Sequence, residues 1–271
     1  MEIYPIILGL IQGVTEWLPI SSKTQILLAS VVLFNLSLSA AYVFGLFMEI
    51  GTILSALIYF RDDIIKLLKG KEKETLKFIL ISTMFTGIVG VALYYLSKHF
   101  LETTYNPGLP MFILGIILIL NGFYIMYSKR KGKTKDKEMN IKDSIVIGLA
   151  QGISALPGIS RSGITVSTML LLGYRPEYAF RYSYLLYIPA AIGAFLLSIV
   201  TSEESLSYII SYISYEGILL ALITSAIVGF FTIDILLKFA RKEKAYIINF
   251  VLGIIAIIFS LILIFYSVPS K

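Results

Sequence analysis

The chain has 271 residues, of which 57% are hydrophobic and only 15% charged. Soluble domains carry about 25% charged residues, so the composition excludes an ordinary soluble fold. The sequence contains no cysteine and one histidine, His99, which excludes disulfides, thiolate chemistry and a histidine metal cluster. The net charge of +6 comes mainly from three short segments between apolar stretches, and it therefore does not indicate nucleic-acid binding.

Six apolar segments of about 19 residues are each long enough to cross a hydrocarbon layer as a helix. They are 42–60, 78–96, 111–127, 182–200, 217–237 and 246–266. Two further segments, 3–33 and 141–172, contain an internal Pro-Ile-Ser or Pro-Gly-Ile-Ser break. Such a break is tolerated in a membrane where the backbone lines a cavity. Both segments are therefore predicted to form re-entrant helix–turn–helix hairpins, with a single kinked span as the alternative for each.

The sequence is internally repeated. Gly-Leu-x-Gln-Gly at residues 9–13 recurs 139 positions later, and so does Ile-Val-Gly at residues 88–90. Three further matches lie 136 to 139 positions apart and keep the same order. Five ordered matches indicate an internal duplication. The predicted units are a first repeat, 1–128, and a second repeat, 144–271, joined by the basic linker 129–143 within a single membrane domain.

The charges between the spans predict the orientation. Basic residues are concentrated in 61–77, 129–143 and 238–244, whereas 98–109 and 201–216 lack this excess. Basic loops face the cytoplasm, which makes the three spans of the second half run opposite to those of the first. The predicted fold class is an all-α integral membrane protein with an inverted repeat, six full spans and two re-entrant hairpins. It is predicted to be multi-pass in the cell membrane, with both termini external.

Polar groups within a membrane are costly, and they mark functional sites. In the first hairpin, Gln12 and Glu16 lie four residues apart on one helix face, and a Ser-Ser turn follows. The second hairpin offers Arg161, three hydroxyls and a glycine-rich turn before a helix N-terminus. This pattern predicts a phosphate held by Arg161 and backbone amides, with a divalent cation on Glu16. An ion pair between Glu16 and Arg161 that only locks the hairpins is the alternative.

Two motifs carry a resemblance to a known family. They are Gly-Leu-x-Gln-Gly-x-Thr-Glu-Trp-Leu-Pro-Ile-Ser-Ser, from residue 9, and Leu-Pro-Gly-Ile-Ser-Arg-Ser-Gly-Ile-Thr, from residue 156. Both resemble the motifs of the undecaprenyl-diphosphatase (bacitracin-resistance) family, as does the stretch 179–189, and the resemblance covers essentially the whole chain. It implies a membrane phosphatase that hydrolyses a polyprenyl diphosphate to the monophosphate and inorganic phosphate, which recycles the lipid carrier.

The chain also departs from the family's usual pattern. Gln12 stands where the family usually has a carboxylate, and Gln25 where it usually has a histidine. Conversely, Glu49 stands where glutamine is usual, which predicts that the second carboxylate has moved to the following span; pairing with a basic residue such as Lys23 is the alternative. Lys23 itself is predicted to contact phosphate, with a solvated turn residue as the alternative.

The predicted site joins these observations. The catalytic residues are Glu16, Ser22, Arg161 and Glu49. The substrate-binding residues are Gln12, Ser21, Lys23, Gln25, Ser160, Ser162 and Thr165. Glu16 is also the predicted ligand of a divalent metal, Mg²⁺ or Ca²⁺. The predicted partners are a polyprenyl diphosphate lipid and the bilayer, and the sequence leaves the oligomeric state open, a homodimer included.

Two other classes of protein remain as alternatives at the level of sequence. A carrier that moves a phosphorylated lipid or anion across the bilayer without hydrolysis fits an inverted repeat with paired hairpins. A non-catalytic membrane scaffold is disfavoured by the glutamate and arginine within the hairpins. In the phosphatase reading, a Ser22 hydroxyl or a water molecule attacks phosphorus.

Overall fold

The computed structural model describes residues 3–18, 20–34, 36–103, 108–131, 139–201, 207, 209–211, 213–239 and 245–266. Over these residues the chain is helical and contains no strand, which confirms the all-α prediction. The main helices are α1 (Ile3–Thr15), α2 (Ser22–Phe34), α3 (Leu38–Tyr59), α4 (Arg61–Leu68), α5 (Lys73–Thr103), α6 (Gly108–Lys131), α7 (Ile141–Ile153), α8 (Arg161–Leu171), α9 (Pro176–Thr201), α10 (Tyr215–Phe239) and α11 (Ala245–Tyr266).

The predicted apolar segments fall in separate long helices, namely α3, α5, α6, α9, α10 and α11. Four of these, α3, α5, α9 and α10, are long and apolar enough to cross a membrane. Their outer faces expose large apolar side chains such as Leu80, Ile88 and Leu196. Hydrocarbon is the solvent that suits so much exposed apolar surface, and the chain is accordingly a membrane protein.

The two motif-bearing segments each fold as two short helices joined by a turn. α1 contacts α2, and α7 contacts α8, so each segment is divided into two helices that touch each other. The second turn contains Gly158 at a φ of +92°. A Cβ there would also approach Ile117 Cγ2 of α6 to 2.9 Å, so both backbone conformation and space favour glycine. Pro19, in the first turn, lies outside the described residues.

Two boundaries differ from the sequence-based expectation. The basic segment 61–77, predicted as a loop, contains α4 and the start of α5. Acidic residues in the first turn of α4 and Lys66 in its last turn suit the helix dipole. α7 begins at Ile141 behind the N-cap Asn140, so the end of the predicted 129–143 linker is helical. Residues 132–138 of that linker, and parts of the other predicted loops, lie outside the described residues.

The helices of the two motif segments pack against long helices of the opposite half. α1 packs closely on α10, and α5 on α7, while α3 and α9 contact each other between the two hairpins. The N-terminal ends of α2 and α8 follow the two turns, and each bears residues of the predicted site. This packing brings the turn after α1 next to the turn before α8.

Gly51 allows α3 and α10 to approach closely. A Cβ at Gly51 would lie 2.5 Å from the carbonyl oxygen of Leu222 and still closer to the Ser225 hydroxyl. Across the same contact, a Cβ at Gly229 would lie 2.6 Å from the Ser55 hydroxyl, which donates to the carbonyl of Ala226 at 2.6 Å. We call this contact the closed seam, because no space remains in it for a methyl group.

We expect Gly51→Ala to lower the melting temperature of the purified protein in detergent, because a backbone carbonyl cannot move aside cheaply. Overpacking of this kind costs about 1–3 kcal/mol. Gly87→Ala on α5 is the matched control, since a Cβ there meets no atom within 4 Å and alanine favours helix by about 1 kcal/mol over glycine. Equal melting temperatures for the two variants would show that the closed seam is not tightly packed.

Candidate active site

The carboxylate of Glu16 is the centre of the predicted site. Glu16 continues α1 by one residue, its amide donating to the carbonyl of Gln12 at 3.0 Å, and it is only 5% exposed. Oε1 accepts from Arg161 Nη2 at 2.8 Å, whereas Oε2 accepts from Gln12 Nε2 at 3.0 Å and from the Ser22 hydroxyl at 2.5 Å. Both oxygens therefore have donors, which stabilise the charged carboxylate in this buried position.

The guanidinium of Arg161 crosses from the second half of the chain to meet Glu16. Arg161 is the first residue of α8, whose N-cap Ser160 accepts from the amide of Gly163 at 3.1 Å. Nη1 of Arg161 donates to the carbonyl of Ser183 at 3.3 Å, while Nε of Arg161 is buried without a partner in the described part of the chain. The guanidinium is thus held in place, and one of its donors has no acceptor among the described residues.

Five side chains, those of the ion pair included, form a closed ring of contacts. Gln12 Nε2 donates to the Thr52 hydroxyl at 3.3 Å as well as to Glu16, and Thr52 Oγ1 lies 2.7 Å from the Tyr187 hydroxyl. The Tyr187 ring lies 4.1 Å from the guanidinium carbon of Arg161, a cation–π distance. Each member is thereby restrained from two sides, which fixes the direction of the guanidinium.

A second buried ion pair lies beside the first. Lys23 Nζ is 3.5 Å from Glu49 Oε1, and the two residues are 8% and 3% exposed. Lys23 is therefore not the solvated turn residue that was its alternative. The pairing of Glu49 with Lys23 is observed, but it is long and leaves the Glu49 carboxylate with far fewer donors than Glu16 has among the described residues.

The hydroxyl groups of the second motif join the two turns. Ser160 and Ser162 both donate to the carbonyl of Leu18, at 3.4 and 2.9 Å, and Thr165 Oγ1 lies 2.5 Å from the Ser183 hydroxyl. All three hydroxyls are hydrogen-bonded within the protein. Their role in substrate binding stays a prediction.

Two more predicted residues, Ser21 and Gln25, lie in and just after the first turn. Ser21 has a φ of +61°, a strained conformation for a residue other than glycine, and its hydroxyl lies 2.9 Å from that of Thr24. Thr24 in turn accepts from the amide of Gly158 at 2.8 Å, which ties the two turns together. Among the described residues, the Gln25 side chain donates to the carbonyl of Ile20 at 3.4 Å, and it does not line the small pocket described below.

Most of the predicted residues meet at one small pocket. Its lining consists of Glu16, Ser21, Ser22, Lys23, Ile159, Ser160 and Arg161. Lys23 and Arg161 also line a larger cavity of about 180 Å³, which Glu49 and Tyr187 enclose from α3 and α9. The two cavities thus meet at the two basic side chains, so a ligand with an anionic group would contact both.

Sequence reasoning missed Tyr187 and Thr52, which complete the ring. Tyr187 lies in the stretch 179–189 that resembles the family, which was a usable signal. Thr52 lies three residues after Glu49, and its hydroxyl donates to the carbonyl of that residue at 3.0 Å. One helical turn relates the two positions, but only tertiary packing could reveal that Tyr187 meets Thr52.

Comparison with known proteins identifies the family. A family profile described as bacitracin resistance protein BacA matches residues 5–262. The chain belongs to this family. It is 52% identical over 257 residues to the undecaprenyl-diphosphatase of Sulfurisphaera tokodaii, covering 95% of this chain and 96% of the relative. Undecaprenyl-diphosphatases of Saccharolobus solfataricus and Pyrobaculum aerophilum are 43% and 39% identical, the alignments covering 93% of this chain in both cases and 93% and 94% of the relatives. The resemblance drawn from the motifs is confirmed.

A divalent cation suits the donor chemistry of the site. No three Asp, Glu, His or Cys side chains gather as a metal site within the described ranges. However, Glu16 and Glu49 already balance Arg161 and Lys23, so a diphosphate would add uncompensated negative charge. Hard cations take carboxylate and phosphate oxygens, and Mg²⁺ commonly uses one or two carboxylates together with substrate phosphates. The residues present therefore fit a cation that the substrate itself helps to hold.

We expect Glu16→Gln to destabilise the protein by about 3–5 kcal/mol, because it leaves the buried guanidinium of Arg161 unpaired. The double variant Glu16→Gln/Arg161→Met should recover much of this loss, since no unpaired charge then remains. Chemical denaturation in detergent of the wild type, both single variants and the double variant gives the coupling energy. Additive effects of the two substitutions would show that the ion pair contributes no coupling to stability.

Proposed function

We propose that the chain hydrolyses undecaprenyl diphosphate to undecaprenyl phosphate and inorganic phosphate at the membrane. The observation that carries this proposal is the Ser22 hydroxyl 2.5 Å from the buried Glu16 carboxylate, which is itself paired with Arg161. Ser22, Glu16 and Arg161 line one pocket, which supports assigning them as nucleophile, proton acceptor and phosphate-binding cation. The carrier alternative is not favoured, because the relatives that match along most of the chain are named undecaprenyl-diphosphatases.

Phosphate binding is assigned to two cations of different kinds. Arg161 offers planar, paired donors that match phosphate oxygens, and Lys23 offers a compact point charge. The first amides of α8, which have no acceptor within their own helix, add to the attraction for an anion. The Tyr187 ring restrains the guanidinium, so phosphate binding requires little further ordering of the Arg161 side chain.

In the proposed reaction, Glu16 accepts the proton of the Ser22 hydroxyl. Ser22 Oγ, or a water molecule in its place, forms the new bond to the terminal phosphorus as the bond from that phosphorus to the bridging oxygen breaks. Polyprenyl phosphate leaves with the bridging oxygen and takes the proton from Glu16, which restores the carboxylate. Where Ser22 is the nucleophile, a water molecule then attacks the phosphorus of the phosphoserine. Glu16 accepts the proton of that water and returns it to Ser22 Oγ as the bond from phosphorus to Oγ breaks and phosphate leaves. A bound Mg²⁺ or Ca²⁺, held by Glu16 and Glu49, would supply charge neutralisation at the phosphoryl oxygens.

The direct test is phosphate release from undecaprenyl diphosphate by the purified protein in detergent. We expect release with Mg²⁺ or Ca²⁺, loss of release with a chelator, and at least about a hundredfold loss in Ser22→Ala or Arg161→Lys, since a single transition-state contact is worth that much. Ser30→Ala, a buried hydroxyl on α2 outside the site, is the control. An absence of phosphate release with every metal would contradict the proposal and bring the carrier alternative forward.

Glu49 is proposed as the second functional carboxylate, as a general base or a metal ligand. We expect Glu49→Gln to lower phosphate release by about a hundredfold or more. Because the substitution also leaves Lys23 unpaired, and Lys23 is itself a proposed phosphate-binding residue, Lys23→Met is compared with Glu49→Gln/Lys23→Met. Equal phosphate release by these two variants would show that Glu49 only balances the charge of Lys23. A further comparison, Glu49→Gln/Gln25→His, restores the residues usual in the family and tests whether histidine substitutes for the carboxylate.

We also propose that the fold is an inverted repeat of six spans and two re-entrant hairpins, with units 1–128 and 144–271. Contacts between helices recur in pairs, which supports the duplication: α1 with α10 parallels α7 with α5, and α2 with α3 parallels α8 with α9. The basic segments set the orientation, with 61–77, 129–143 and 238–244 in the cytoplasm.

A cysteine placed in the 129–143 linker tests this orientation, because the chain has no other cysteine. We expect an impermeable thiol reagent to label it in opened cells and not in intact ones. A cysteine in 201–216 should show the opposite behaviour. Labelling of the linker from outside intact cells would reverse the proposed orientation.

A further inference from the structure

The helices that follow the two motif turns begin differently, although the repeat offset of 139 relates Ser21 to Ser160. Ser160 precedes α8 with a φ of −72°, and its hydroxyl accepts from the amide of Gly163 at 3.1 Å, an ordinary N-cap. Ser21 precedes α2 with a φ of +61°, and its hydroxyl lies 2.9 Å from Thr24 Oγ1. Equivalent positions therefore have different backbone conformations, and the strained one belongs to the first half.

The conformation of Ser21 determines where the next residue, Ser22, points. The Ser22 hydroxyl lies 2.5 Å from Glu16 Oε2. The carbonyl of Ser21 accepts from the amides of Thr24 and Gln25, at 3.1 and 3.2 Å, so the first turn of α2 depends on the orientation of that carbonyl. Rotation of Ser21 to an unstrained φ would break these two hydrogen bonds and move Ser22 away from Glu16.

A hydrogen-bonded bridge connects Ser21 to the second turn. Thr24 is fully buried, and its hydroxyl accepts from the amide of Gly158 at 2.8 Å while it lies 2.9 Å from the hydroxyl of Ser21. Gly158 has a φ of +92°, so the bridge joins two residues with a left-handed backbone. It crosses between the two halves of the chain, as the ion pair of Glu16 with Arg161 does.

The second turn is the fixed end of this bridge. The Tyr42 hydroxyl on α3 donates to the carbonyl of Ala155 at 2.8 Å, and a Cβ at Gly158 would approach Ile117 of α6 to 2.9 Å. Two helices thus hold the second turn in place. A strained residue persists where the surrounding structure restrains it, and the Thr24 hydroxyl transmits that restraint to Ser21.

We propose that Thr24 is a positioning residue, which holds Ser21 in its left-handed conformation and thereby directs Ser22 Oγ at Glu16. Thr24 lines neither the small pocket nor the larger cavity, so it acts through Ser21 and not by contact with the substrate. The inference rests on the proposed function, in which Ser22 and Glu16 carry out the reaction. It adds a residue that couples their geometry to the opposite half of the chain.

The first experiment removes the bridging hydroxyl. We expect Thr24→Val to lower kcat for phosphate release by about tenfold to a hundredfold, the scale on which a misplaced reacting group loses rate, with little change in KM. Thr24→Ser keeps the hydroxyl and should retain most of the kcat. Thr232→Val is the matched control, because the Thr232 hydroxyl donates to the carbonyl of Val228 within α10. A lower melting temperature of Thr24→Val with an unchanged kcat would overturn the proposal in favour of a purely structural role.

The second experiment tests whether backbone conformation is what the bridge maintains. Glycine adopts a positive φ about as readily as a negative one, whereas alanine does not. Ser21→Gly/Thr24→Val should therefore have a higher kcat than Ser21→Ala/Thr24→Val, although both lack the same two hydroxyls. Equal kcat values for the two double variants would overturn the proposal. If Thr24→Val prevents folding, Ser21→Gly is compared with Ser21→Ala, and the same inequality is expected because both break the bridge.

A third measurement does not depend on turnover. Exchange of backbone amides with deuterium, followed by mass spectrometry in detergent, reports the opening of the hydrogen bonds to the Ser21 carbonyl. We expect faster exchange over residues 22–25 in Thr24→Val than in Thr24→Ser, and slower exchange again in Ser21→Gly/Thr24→Val. Unchanged exchange in Thr24→Val would overturn the proposal. Failure of the phosphatase proposal would appear separately, as absent phosphate release by the wild type with these differences in exchange intact.

Discussion

The buried ion pair between Glu16 and Arg161 is the constraint on which the rest of the structure depends. Charges removed from water lose several kcal/mol of solvation each, and mutual attraction offsets this loss only with good geometry and further hydrogen bonds. The site supplies both: Gln12 and Ser22 donate to the carboxylate, and Ser183 and the Tyr187 ring hold the guanidinium. The interlocked turns follow from the same need, since each turn must hold its charge opposite the other.

Under the proposed duplication, the two halves differ at the positions of this pair. At the offset of 139, Glu16 corresponds to Ala155 and Arg161 corresponds to Ser22. The acid and the base of the pair therefore come from different halves, and the position equivalent to Arg161 supplies the small hydroxyl that donates to Glu16.

Much of this arrangement could be predicted from sequence, for identifiable reasons. Long apolar runs have few alternatives to helix in a membrane, so the long helices followed from local patterns. Charged residues beside a break in a helix mark a lined cavity, and this pattern predicted that Glu16 meets Arg161. α4 was missed because a charged segment with Asp62 and Lys66 reads as a solvated loop. Gln25 was placed in the site by analogy with the family histidine, yet its side chain caps the turn instead.

The remaining differences depend on packing that the sequence does not encode locally. Tyr187 and Thr52 lie 135 positions apart and meet only because α3 crosses α9. Likewise, nothing in the repeated Ile-Val-Gly motif shows that one copy seals a helix contact while the other leaves a cavity. That difference depends on whether Ser55 or free space stands opposite the glycine.

The two carboxylates of the site lie in unequal environments, and this inequality suggests how the work is divided. Glu16 accepts three hydrogen bonds and belongs to the closed ring, so moving it would disturb Gln12, Ser22 and Arg161 together. Among the described residues, the Glu49 carboxylate has one distant partner, Lys23, which itself lines both cavities. In the proposed reaction, an incoming phosphate takes Lys23 from Glu49, whereas Glu16 keeps Gln12 as a donor when Arg161 binds the phosphate. Under that proposal, Glu16 acts from a fixed position, and Glu49 is the carboxylate that substrate binding releases for a new partner, whether a proton or a cation.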